Sequence, residues 1–338
     1  MTDTIRAYAA QKSGGALEAF SYEPGALHPE QVEIRVEYCG ICHSDLSMLD
    51  NEWRRTAYPF VPGHEVVGIV SAMGTQAQNV RAGQRVGLGW RSGSCMHCTP
   101  CLSGDQHLCR NGEETIVGRH GGFAERVRCH WSWALPLPQG VDAATAGPLF
   151  CGGLTVFSPI FELGVKPTDR VGVVGIGGLG HLAIRFLNKW GCEVTAFTSS
   201  AAKRDEALQL GAHQVVASNE KAALKALAGT LDFIIVTSNV ALDWPAYLAA
   251  LAPHGQLHFV GVVREPLNIS SGQIMSGQKS VSASPIGSPA TAMKMLEFCA
   301  RHGIAPMAEE FPMSRVNDAI ARLRAGKARY RIVLKNDF

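Results

Sequence analysis

The sequence predicts an α/β protein with two domains, one a barrel of short β-strands and the other a doubly wound parallel sheet. Its 338 residues exceed the size of one ordinary core, so about two domains are expected. Short strand-like segments punctuated by glycine and proline fill the first 150 residues, which favours a β-barrel. From about Cys151 onward strands and helices alternate, and this rhythm favours a parallel sheet.

The composition indicates which classes of function and partner can be expected. The chain is 46% hydrophobic and 18% charged, which is typical of a globular protein. Its net charge is +2 and it has no basic run, so neither nucleic acid nor an anionic membrane is an expected partner. We find no apolar stretch of membrane-spanning length and no signal-peptide pattern. Ten cysteines in such a chain indicate metal binding in a reducing compartment, the cytoplasm.

Two strands of the first domain can be recognised by their periodicity. Residues 31–36 alternate polar and apolar side chains, as a half-buried strand does. Residues 66–70 follow a Pro-Gly-His-Glu turn and predict a buried strand. Short strands between glycine-containing turns are what a barrel-like β domain is made of.

The second domain begins its sheet with a glycine-rich turn. Residues 170–174 predict a buried strand, and a helix is expected from near Gly178 to Gly191, a glycine suited to a helix C-cap. The turn between them contains Gly175, Gly177, Gly178, Leu179 and Gly180. This pattern is the dinucleotide-binding fingerprint, in which a helix N-terminus holds a pyrophosphate.

The rest of the second domain continues the alternation. The predicted elements are strand 192–197, helix 201–210 ended by Gly211, and strands 215–216, 233–236 and 257–260. After about residue 285 the pattern changes to helices over 291–302 and 315–325 and a strand over 331–334. The doubly wound sheet is complete without this tail, so we expect the tail to rejoin the first domain.

Four cysteines lie close together in the first domain. They are Cys95, Cys98, Cys101 and Cys109. Four thiolates can close a tetrahedral shell around one zinc ion, and a closed shell is structural. Free core cysteines would be unusual on such a polar loop. An iron–sulfur cluster uses similar ligands, but the third gap is too long for the bacterial ferredoxin pattern.

A second set of metal-binding residues is scattered over three segments. It comprises Cys42, His64, Glu65 and Cys151. Two sulfurs, an imidazole and a carboxylate suit a zinc ion that can exchange a ligand for substrate. Taken singly, each is also compatible with an ordinary buried residue. Zinc as a Lewis acid, together with a nicotinamide cofactor, predicts an alcohol or aldehyde dehydrogenase-type reaction.

The motifs together resemble the zinc-containing medium-chain alcohol dehydrogenases, most of all the cinnamyl alcohol dehydrogenase branch with its bacterial aldehyde reductases. The segments that carry the resemblance are GICHSD (40–45), YPFVPGHEVVG (58–68), SCMHCTPCLSGDQHLC (94–109), PLFCGGLTVFSP (148–159), GIGGLGH (175–181) and YRIVL (330–334). The resemblance implies a GroES-like catalytic domain over residues 1–151 and 285–338. It implies a Rossmann domain over 152–284, with the active-site cleft between the two.

The resemblance also implies roles for the metal-binding residues. It assigns the four-cysteine set to a structural zinc and the scattered set to a catalytic zinc. Glu65 is expected to yield its place when water or substrate arrives. Asp45 is expected to orient His64 and raise its basicity. Cys39 forms a C-x2-C pattern with Cys42, but the family offers no support for a disulfide, and Cys39 is expected in the core.

Ser44 is implied as the first member of a proton relay, although its hydroxyl could simply stabilise a turn. In many relatives the relay ends at a histidine three residues further on. This chain has Ser47 there, so water or His43 is left to complete the relay. His43 and Arg331 match positions that reach the cofactor pyrophosphate, and either could instead be a surface residue.

Two further sets follow from the resemblance. Trp53 and Trp90 are expected as aromatic walls of the substrate pocket, with plain core packing as the alternative. An NAD-preferring site has an acidic residue at the end of the second strand, and none stands here. The stretch holds Thr198, Ser199, Ser200, Lys203 and Arg204 instead. Hydroxyls and a cation suit the 2′-phosphate of NADP(H). A serine N-cap on a solvated helix explains the same residues.

The sequence therefore predicts an NADP(H)-dependent zinc alcohol dehydrogenase or aldehyde reductase with two Zn²⁺ ions per chain. Its expected substrate is a primary alcohol or aldehyde, aromatic or aliphatic, and its expected state is a homodimer, with a tetramer left open. One alternative is an NAD-dependent polyol or secondary-alcohol dehydrogenase. Another is a non-catalytic dinucleotide-binding structural or sensor protein, which would be expected to lose zinc ligands. A nucleic-acid-binding zinc module is disfavoured by the near-neutral charge.

Overall fold

The computed structural model describes residues 4–338, and these form two compact units. The first unit contains the chain up to Cys151 together with Gly287–Phe338, and the second contains Gly152–Ile286. The second boundary lies two residues later than the sequence-based division, which ended at residue 284. Among the described residues no single helix has the length and apolar character to cross a membrane; one bent pair, Ala143–Phe150 with Gly152–Glu162, has both when taken together.

The first unit is built mainly from strands. These are β1 (Ile5–Ala10), β2 (Leu17–Tyr22), β3 (Gln31–Ile41), β4 (Glu65–Met73), β5 (Arg85–Leu88), β6 (Arg91–Gly93), β7 (Glu113–Glu114), β8 (Arg126–His130), β9 (Leu135–Pro136), β16 (Ala308–Pro312) and β17 (Arg331–Lys335). Its helices are α1 (His43–Leu49), α2 (Thr99–Leu102), α3 (Ala143–Ala146), α10 (Pro289–His302) and α11 (Val316–Arg324). Single 3-10 turns cover Gln106–Leu108, Trp131–Trp133, Gly147–Phe150 and Met313–Arg315.

The main sheet of this unit joins the two ends of the chain. Its strand order is β16-β17-β3-β4-β5-β9, with β8 also paired to β3. Strand β17 runs antiparallel to β3, with Ile332 opposite Ile41. Alternate side chains of β3, such as Val32 and Ile34, are fully buried in the core beneath the sheet. The C-terminal tail is therefore part of the first unit's sheet and core.

The second unit alternates helices and strands. The strands are β10 (Arg170–Val174), β11 (Glu193–Thr198), β12 (Gln214–Ala217), β13 (Leu231–Val236), β14 (Leu251–Phe259) and β15 (Ser280–Ala283). The helices are α4 (Gly152–Glu162), α5 (Gly180–Trp190), α6 (Arg204–Leu210), α7 (Lys221–Ala226), α8 (Trp244–Ala250) and α9 (Ser271–Met275). A 3-10 turn covers Ala201–Lys203.

All six strands of the second unit are parallel, in the order β12-β11-β10-β13-β14-β15. Counted within the unit this is the order 3-2-1-4-5-6 of a Rossmann fold, which confirms the predicted fold class. The order reverses between β10 and β13. Ligands of such sheets bind beyond the carboxyl ends of the strands at this reversal.

Several predicted boundaries shift by one to three residues. Helix α5 begins at Gly180, not near Gly178, because the backbone up to Leu179 forms the turn, with Gly175 at φ 93°. The helix predicted over 201–210 is divided into the 3-10 turn and α6. Gly191 and Gly211 end their helices in the left-handed conformation (φ 108° and 112°), as predicted.

Candidate metal centres and dinucleotide turn

The four-cysteine set lies on the loop between β6 and β7. Its Sγ atoms are 3.5 Å apart for Cys95 and Cys109, 3.8 Å for Cys98 and Cys109, and 4.0 Å for Cys95 and Cys101. Four sulfurs at about 2.3 Å from a tetrahedral zinc ion would stand about 3.8 Å apart. Hydrogen bonds to its thiolate, above all from the His97 backbone N–H, lower the pKa of Cys95 to about 6. The donor set fits a closed zinc shell.

The scattered set also comes together, and all four of its members belong to the first unit. Cys42 follows β3, His64 and Glu65 stand at the start of β4, and Cys151 follows the 3-10 turn 147–150. Their ligand atoms lie within 4.8 Å of one another. The Sγ atoms of Cys42 and Cys151 are 3.9 Å apart, and His64 Nε2 lies 3.3 Å from Cys151 Sγ. These separations match ligands of one zinc ion, for which about 3.6–3.8 Å is expected.

Asp45 holds this cluster through three N–H groups. Its Oδ2 accepts from the Cys42 backbone N–H at 2.9 Å, and its Oδ1 accepts from the Gly63 N–H at 3.0 Å. The same Oδ1 lies 2.9 Å from His64 Nδ1. Because a carboxylate only accepts, Nδ1 carries a proton, and Nε2 is the nitrogen that is left to bind a metal ion. Asp45 lies where the resemblance implied, as the group that orients the metal-binding imidazole.

The ionisable groups of this cluster shift one another's pKa. Burial lowers the pKa of His64, but Asp45 and Cys42 together outweigh it and leave the pKa well above its ordinary value. A hydrogen bond from the Cys151 thiol lowers the pKa of Cys42 well below its ordinary value, and the same bond raises that of Cys151. A divalent cation would favour the thiolate form of both cysteines.

Arg331, which the resemblance placed at the cofactor pyrophosphate, has a partner within the second ligand set. It is 4% exposed, not a surface residue, and its guanidinium pairs with Oε1 of Glu65. A fully buried carboxylate in reach attracts the cation because neither charge is solvated there. The other oxygen, Glu65 Oε2, is buried with no partner among residues 4–338. A buried acceptor of this kind inside a ligand cluster is chemically suited to bind a cation.

The residues predicted around this cluster occupy different positions. Ser44 Oγ lies 3.8 Å from Cys42 Sγ, at the edge of the cluster. Ser47 donates instead to Glu52 Oε2 at 3.1 Å, so its hydroxyl is bound on another face of α1. His43 is the exposed first residue of α1. Of these three, the structure brings only Ser44 beside the metal ligands.

Two tryptophans cover the cluster on one side. The Trp90 ring meets the His64 ring edge to face with centroids 5.0 Å apart, and Trp53 packs on Trp90 at 5.7 Å. Trp53 remains 37% exposed, which is unusual for a large aromatic side chain with a purely structural role. The pair forms an aromatic wall that begins at a metal ligand and ends in solvent.

The glycine-rich turn has the shape that a pyrophosphate needs. A Cβ added to Gly177 would meet nothing within 4 Å, so the backbone is open on that side. A Cβ added to Gly180 would lie 1.9 Å from the Gly175 carbonyl oxygen, so only glycine lets α5 start this close to β10. Beside the turn, Ser238 Oγ is buried without a partner in the part of the chain that the structure describes. An open backbone and an orphan hydroxyl at the sheet's switch point fit a dinucleotide.

The predicted 2′-phosphate residues stand at the end of β11. Thr198 ends the strand, and its Oγ1 accepts from the Ser200 N–H at 3.2 Å. Ser199 is exposed. Lys203 Nζ donates to the Ile176 carbonyl at 2.7 Å, which ties it to the glycine-rich turn. The structure thus brings these side chains to the turn's end of the sheet.

Three contacts were missed by the sequence analysis. They are the Arg331–Glu65 pair, the bond of His181 Nδ1 to the Gly177 carbonyl, and the position of Thr237 Oγ1 beside the Val174 and Gly175 carbonyls. A histidine at the first turn after the glycines was a local signal that could have been used. The other two contacts join residues more than 60 positions apart and have no local signal.

A GroES-like unit with two thiolate-containing ligand sets and a Rossmann unit with an open glycine-rich turn define the class of zinc-type dehydrogenases. Residues 28–139 match the family model described as alcohol dehydrogenase GroES-like domain, and residues 178–301 match the one described as zinc-binding dehydrogenase. The chain belongs to the zinc-binding alcohol dehydrogenase family, in the group that contains cinnamyl alcohol dehydrogenases and aldehyde reductases.

Relatives span the whole chain. An aldehyde reductase, AdhA of Synechocystis sp., is 56% identical over 98% of this chain and 99% of its own length. Cinnamyl alcohol dehydrogenase 7 of Arabidopsis thaliana is 36% identical over 96% and 94%. A cinnamyl alcohol dehydrogenase structure from Sorghum bicolor superposes with a TM-score of 0.93, 37% identity and 98% coverage of both chains. One from Helicobacter pylori, complexed with NADP(H), gives 0.89, 28% and 99% of both.

Proposed function

We propose that this protein is an NADP(H)-dependent zinc alcohol dehydrogenase or aldehyde reductase that acts on primary alcohols and aldehydes. The observation that carries the proposal is the convergence of Cys42, His64 and Cys151 at metal-ligand distances, with a fourth, exchangeable donor in Glu65. An open set of three protein ligands is the arrangement of catalytic zinc. The names of the relatives support the same substrate class.

Different residues of the chain have different roles in the proposed reaction. A zinc ion held by Cys42, His64 and Cys151 would supply Lewis acidity to the substrate oxygen, and a bound nicotinamide would supply or accept the hydride. Asp45 keeps His64 in the tautomer that can bind a metal. Trp90 and Trp53 cover the cluster and restrict water on that side.

Ser44 is proposed to move the proton. Its Oγ lies 3.8 Å from Cys42 Sγ, so it is adjacent to the position where a substrate oxygen would bind. A hydroxyl can both donate and accept, so it can pass a proton to or from that oxygen without carrying charge for long. Ser47 does not continue the path, because its hydroxyl is bonded to Glu52. We propose water or His43 as the next member.

Preference for NADP(H) is proposed from the end of β11. Thr198, Ser199 and Ser200 offer hydroxyls there, and Lys203 lies against the glycine-rich turn. No carboxylate stands at this strand end to repel a 2′-phosphate. An ammonium has three donors, so its bond to Ile176 leaves it able to neutralise a phosphate as well. The NADP(H) complex of the Helicobacter pylori relative supports this preference.

Kinetics with paired cofactors tests the proposal. Purified enzyme with its zinc content measured would be assayed on benzaldehyde, cinnamaldehyde and an aliphatic aldehyde, each with NADPH and with NADH. We expect two zinc ions per chain and a higher kcat/KM with NADPH. The double variant Ser199→Asp, Lys203→Ala should move the preference toward NADH. A wild-type preference for NADH would contradict the cofactor assignment, and absence of aldehyde turnover with either cofactor would contradict the function.

We also propose a homodimer in a reducing compartment, the cytoplasm. The compartment is inferred from the ten cysteines of this large chain, and the dimer is the state that the sequence analysis expects. All ten cysteines lie within the described residues, and none of them forms a disulfide, as thiolate ligands require. Strand β15 is an edge of the six-stranded sheet, and an edge strand offers backbone groups to a second copy. Light scattering of the zinc-loaded enzyme distinguishes monomer, dimer and tetramer.

A further inference from the structure

The glycine-rich turn is held by side chains on its carbonyl side. The carbonyl oxygens concerned belong to Val174, Gly175, Ile176 and Gly177, and the side chains that reach them belong to His181, Lys203 and Thr237. The three side chains come from three different segments of the Rossmann unit. Two of these oxygens also accept backbone N–H groups, since Val174 O accepts from the Thr237 N–H at 3.0 Å and Gly177 O from the His181 N–H at 3.1 Å. The side chains add to these backbone bonds, and at the Gly175 and Ile176 oxygens they supply the contact.

Thr237 and His181 make the inner contacts. Thr237 follows β13, and its Oγ1 lies 3.0 Å from the Val174 oxygen and 2.9 Å from the Gly175 oxygen. His181 is 0% exposed, and its Nδ1 lies 2.9 Å from the Gly177 oxygen. A carbonyl oxygen can only accept, so Nδ1 carries the proton and donates. The tautomer of His181 is therefore fixed by the turn.

Lys203 makes the outer contact. Its Nζ donates to the Ile176 oxygen at 2.7 Å, across the end of β11. A charged donor makes a stronger hydrogen bond than a neutral one. The bond also places a positive charge beside the turn, at the Ile176 carbonyl.

Fixing these carbonyls fixes the N–H groups of the residues that follow them. A peptide unit is planar and trans, so its N–H points away from its C=O. When the Gly175, Ile176 or Gly177 oxygen is held by a side chain, the N–H group of the next residue, Ile176, Gly177 or Gly178, is turned away from that side chain. A Cβ on Gly177 would meet nothing within 4 Å, so there is open space beside this part of the turn.

We propose that Thr237, His181 and Lys203 are positioning residues that hold the turn's peptide planes so that its N–H groups face the dinucleotide pyrophosphate before the cofactor binds. Without them a carbonyl could rotate toward the phosphates, and its partial negative charge would repel them. Preorganised donors bind an anion more tightly because no ordering cost remains. This inference rests on the proposed dinucleotide function and extends it to three side chains outside the glycine motif.

Two ligands separate this role from recognition of the 2′-phosphate. ADP-ribose contains the pyrophosphate and lacks the 2′-phosphate, whereas 2′-AMP contains the 2′-phosphate and lacks the pyrophosphate. Binding of each to the zinc-loaded enzyme would be measured by isothermal titration calorimetry. The variants are Thr237→Val, which keeps the shape and removes the hydroxyl, and His181→Leu, which removes the ring donor. Their matched controls are Thr237→Ser and His181→Asn, which keep a donor at the same bond distance from Cα.

We expect Thr237→Val and His181→Leu each to weaken ADP-ribose about tenfold, the size of one hydrogen bond, and to change 2′-AMP less than twofold. Thr237→Ser and His181→Asn should recover most of the loss. Equal weakening of both ligands, or no weakening of either, would overturn the positioning role. If His181→Leu does not fold, the Thr237 pair decides alone. Wild-type enzyme that binds neither ADP-ribose nor NADPH would instead refute the dinucleotide function itself.

Discussion

Replacing Asp45 by asparagine should empty the catalytic metal site while leaving the structural one filled. Asp45 is 2% exposed and accepts three N–H groups, from Cys42, Gly63 and His64. An asparagine side chain offers one oxygen and one NH2 group, so at least one of these N–H groups would face a donor. The lost bond and the unpaired N–H should destabilise the fold by roughly 1.5–3 kcal/mol.

Asp45→Asn should affect zinc binding more strongly than it affects folding. Loss of a carboxylate that orients a metal-binding histidine typically lowers metal affinity by about 10–100-fold. We therefore expect Asp45→Asn to release one zinc ion per chain to a chelator at concentrations that leave wild type fully loaded. Zinc content by mass spectrometry, before and after chelator treatment, measures this directly. The four-cysteine set should keep its ion, because none of its ligands contacts Asp45.

Asp50 on the same helix gives a matched control. It ends α1 and pairs with Arg324 at 2.6 Å on the exposed face. An exposed ion pair contributes at most about 1 kcal/mol, so Asp50→Asn should keep both zinc ions and near-wild-type stability. If Asp45→Asn kept both ions under the same chelator, or if Asp50→Asn lost one equally, the reasoning about Asp45 would be refuted.

Three other predictions follow from the site and the Rossmann unit. Ser44→Ala should lower turnover on the order of a hundredfold at unchanged zinc content, which is the usual scale for a lost proton-transfer group, whereas Ser47→Ala should not. Steady-state kinetics of both variants measures this, and a large effect at Ser47 with none at Ser44 would assign the proton relay to Ser47 instead. Cys151→Ala should leave a folded chain with one zinc ion and no activity, whereas Cys101→Ala should lower the unfolding midpoint, because structural zinc binding contributes to the free energy of folding. Thermal unfolding with zinc analysis distinguishes the two variants, and an unfolded Cys151→Ala chain would contradict the separate roles of the two ligand sets. Burial lowers the pKa of His258 to about 4. Below about pH 6.5 the unfolded state therefore binds a proton that the folded state does not, and the folded state loses up to about 3 kcal/mol of stability as the pH falls from about 6.5 to about 4. Unfolding midpoints at pH 7 and pH 5 measure this loss, and His258→Gln should lose less than wild type; parallel losses would exclude His258 as the cause.

Both candidate ligand sets could be proposed from the sequence, the four-cysteine set from its spacing and the scattered set from segments that resemble the family. The four cysteines lie within fifteen positions, and the Pro-Gly-His-Glu turn and the Gly-Ile-Cys-His-Ser-Asp segment have distinctive compositions. The parallel order of the sheet followed from strand and helix alternation alone. In each of these cases the information lies within one short segment or one repeating pattern.

Contacts between distant segments could not be predicted in this way. Arg331 belongs to a strand of ordinary appearance, and only the pairing of β17 with β3 brings it to Glu65. Thr237 reaches the glycine-rich turn because β13 lies beside β10 in the sheet, 63 residues after Val174 in sequence. Lys203 was expected at the 2′-phosphate, and its additional bond to the Ile176 carbonyl was not predicted. These contacts depend on how the strands pair and on which of several acceptors a side chain reaches, and neither is visible in one segment of sequence.

The pairing of β17 with β3 makes the order of synthesis matter for metal loading. The four-cysteine set is complete once Cys109 has left the ribosome, so it can take its ion early. The second set waits for Cys151, and the guanidinium that neutralises Glu65 is among the last residues made, after the whole Rossmann unit. Domains fold as units during synthesis, so the Rossmann unit should be folded before β17 closes the first sheet. Glu65 therefore has no cationic partner until β17 pairs with β3, although all four members of the second ligand set are made by residue 151.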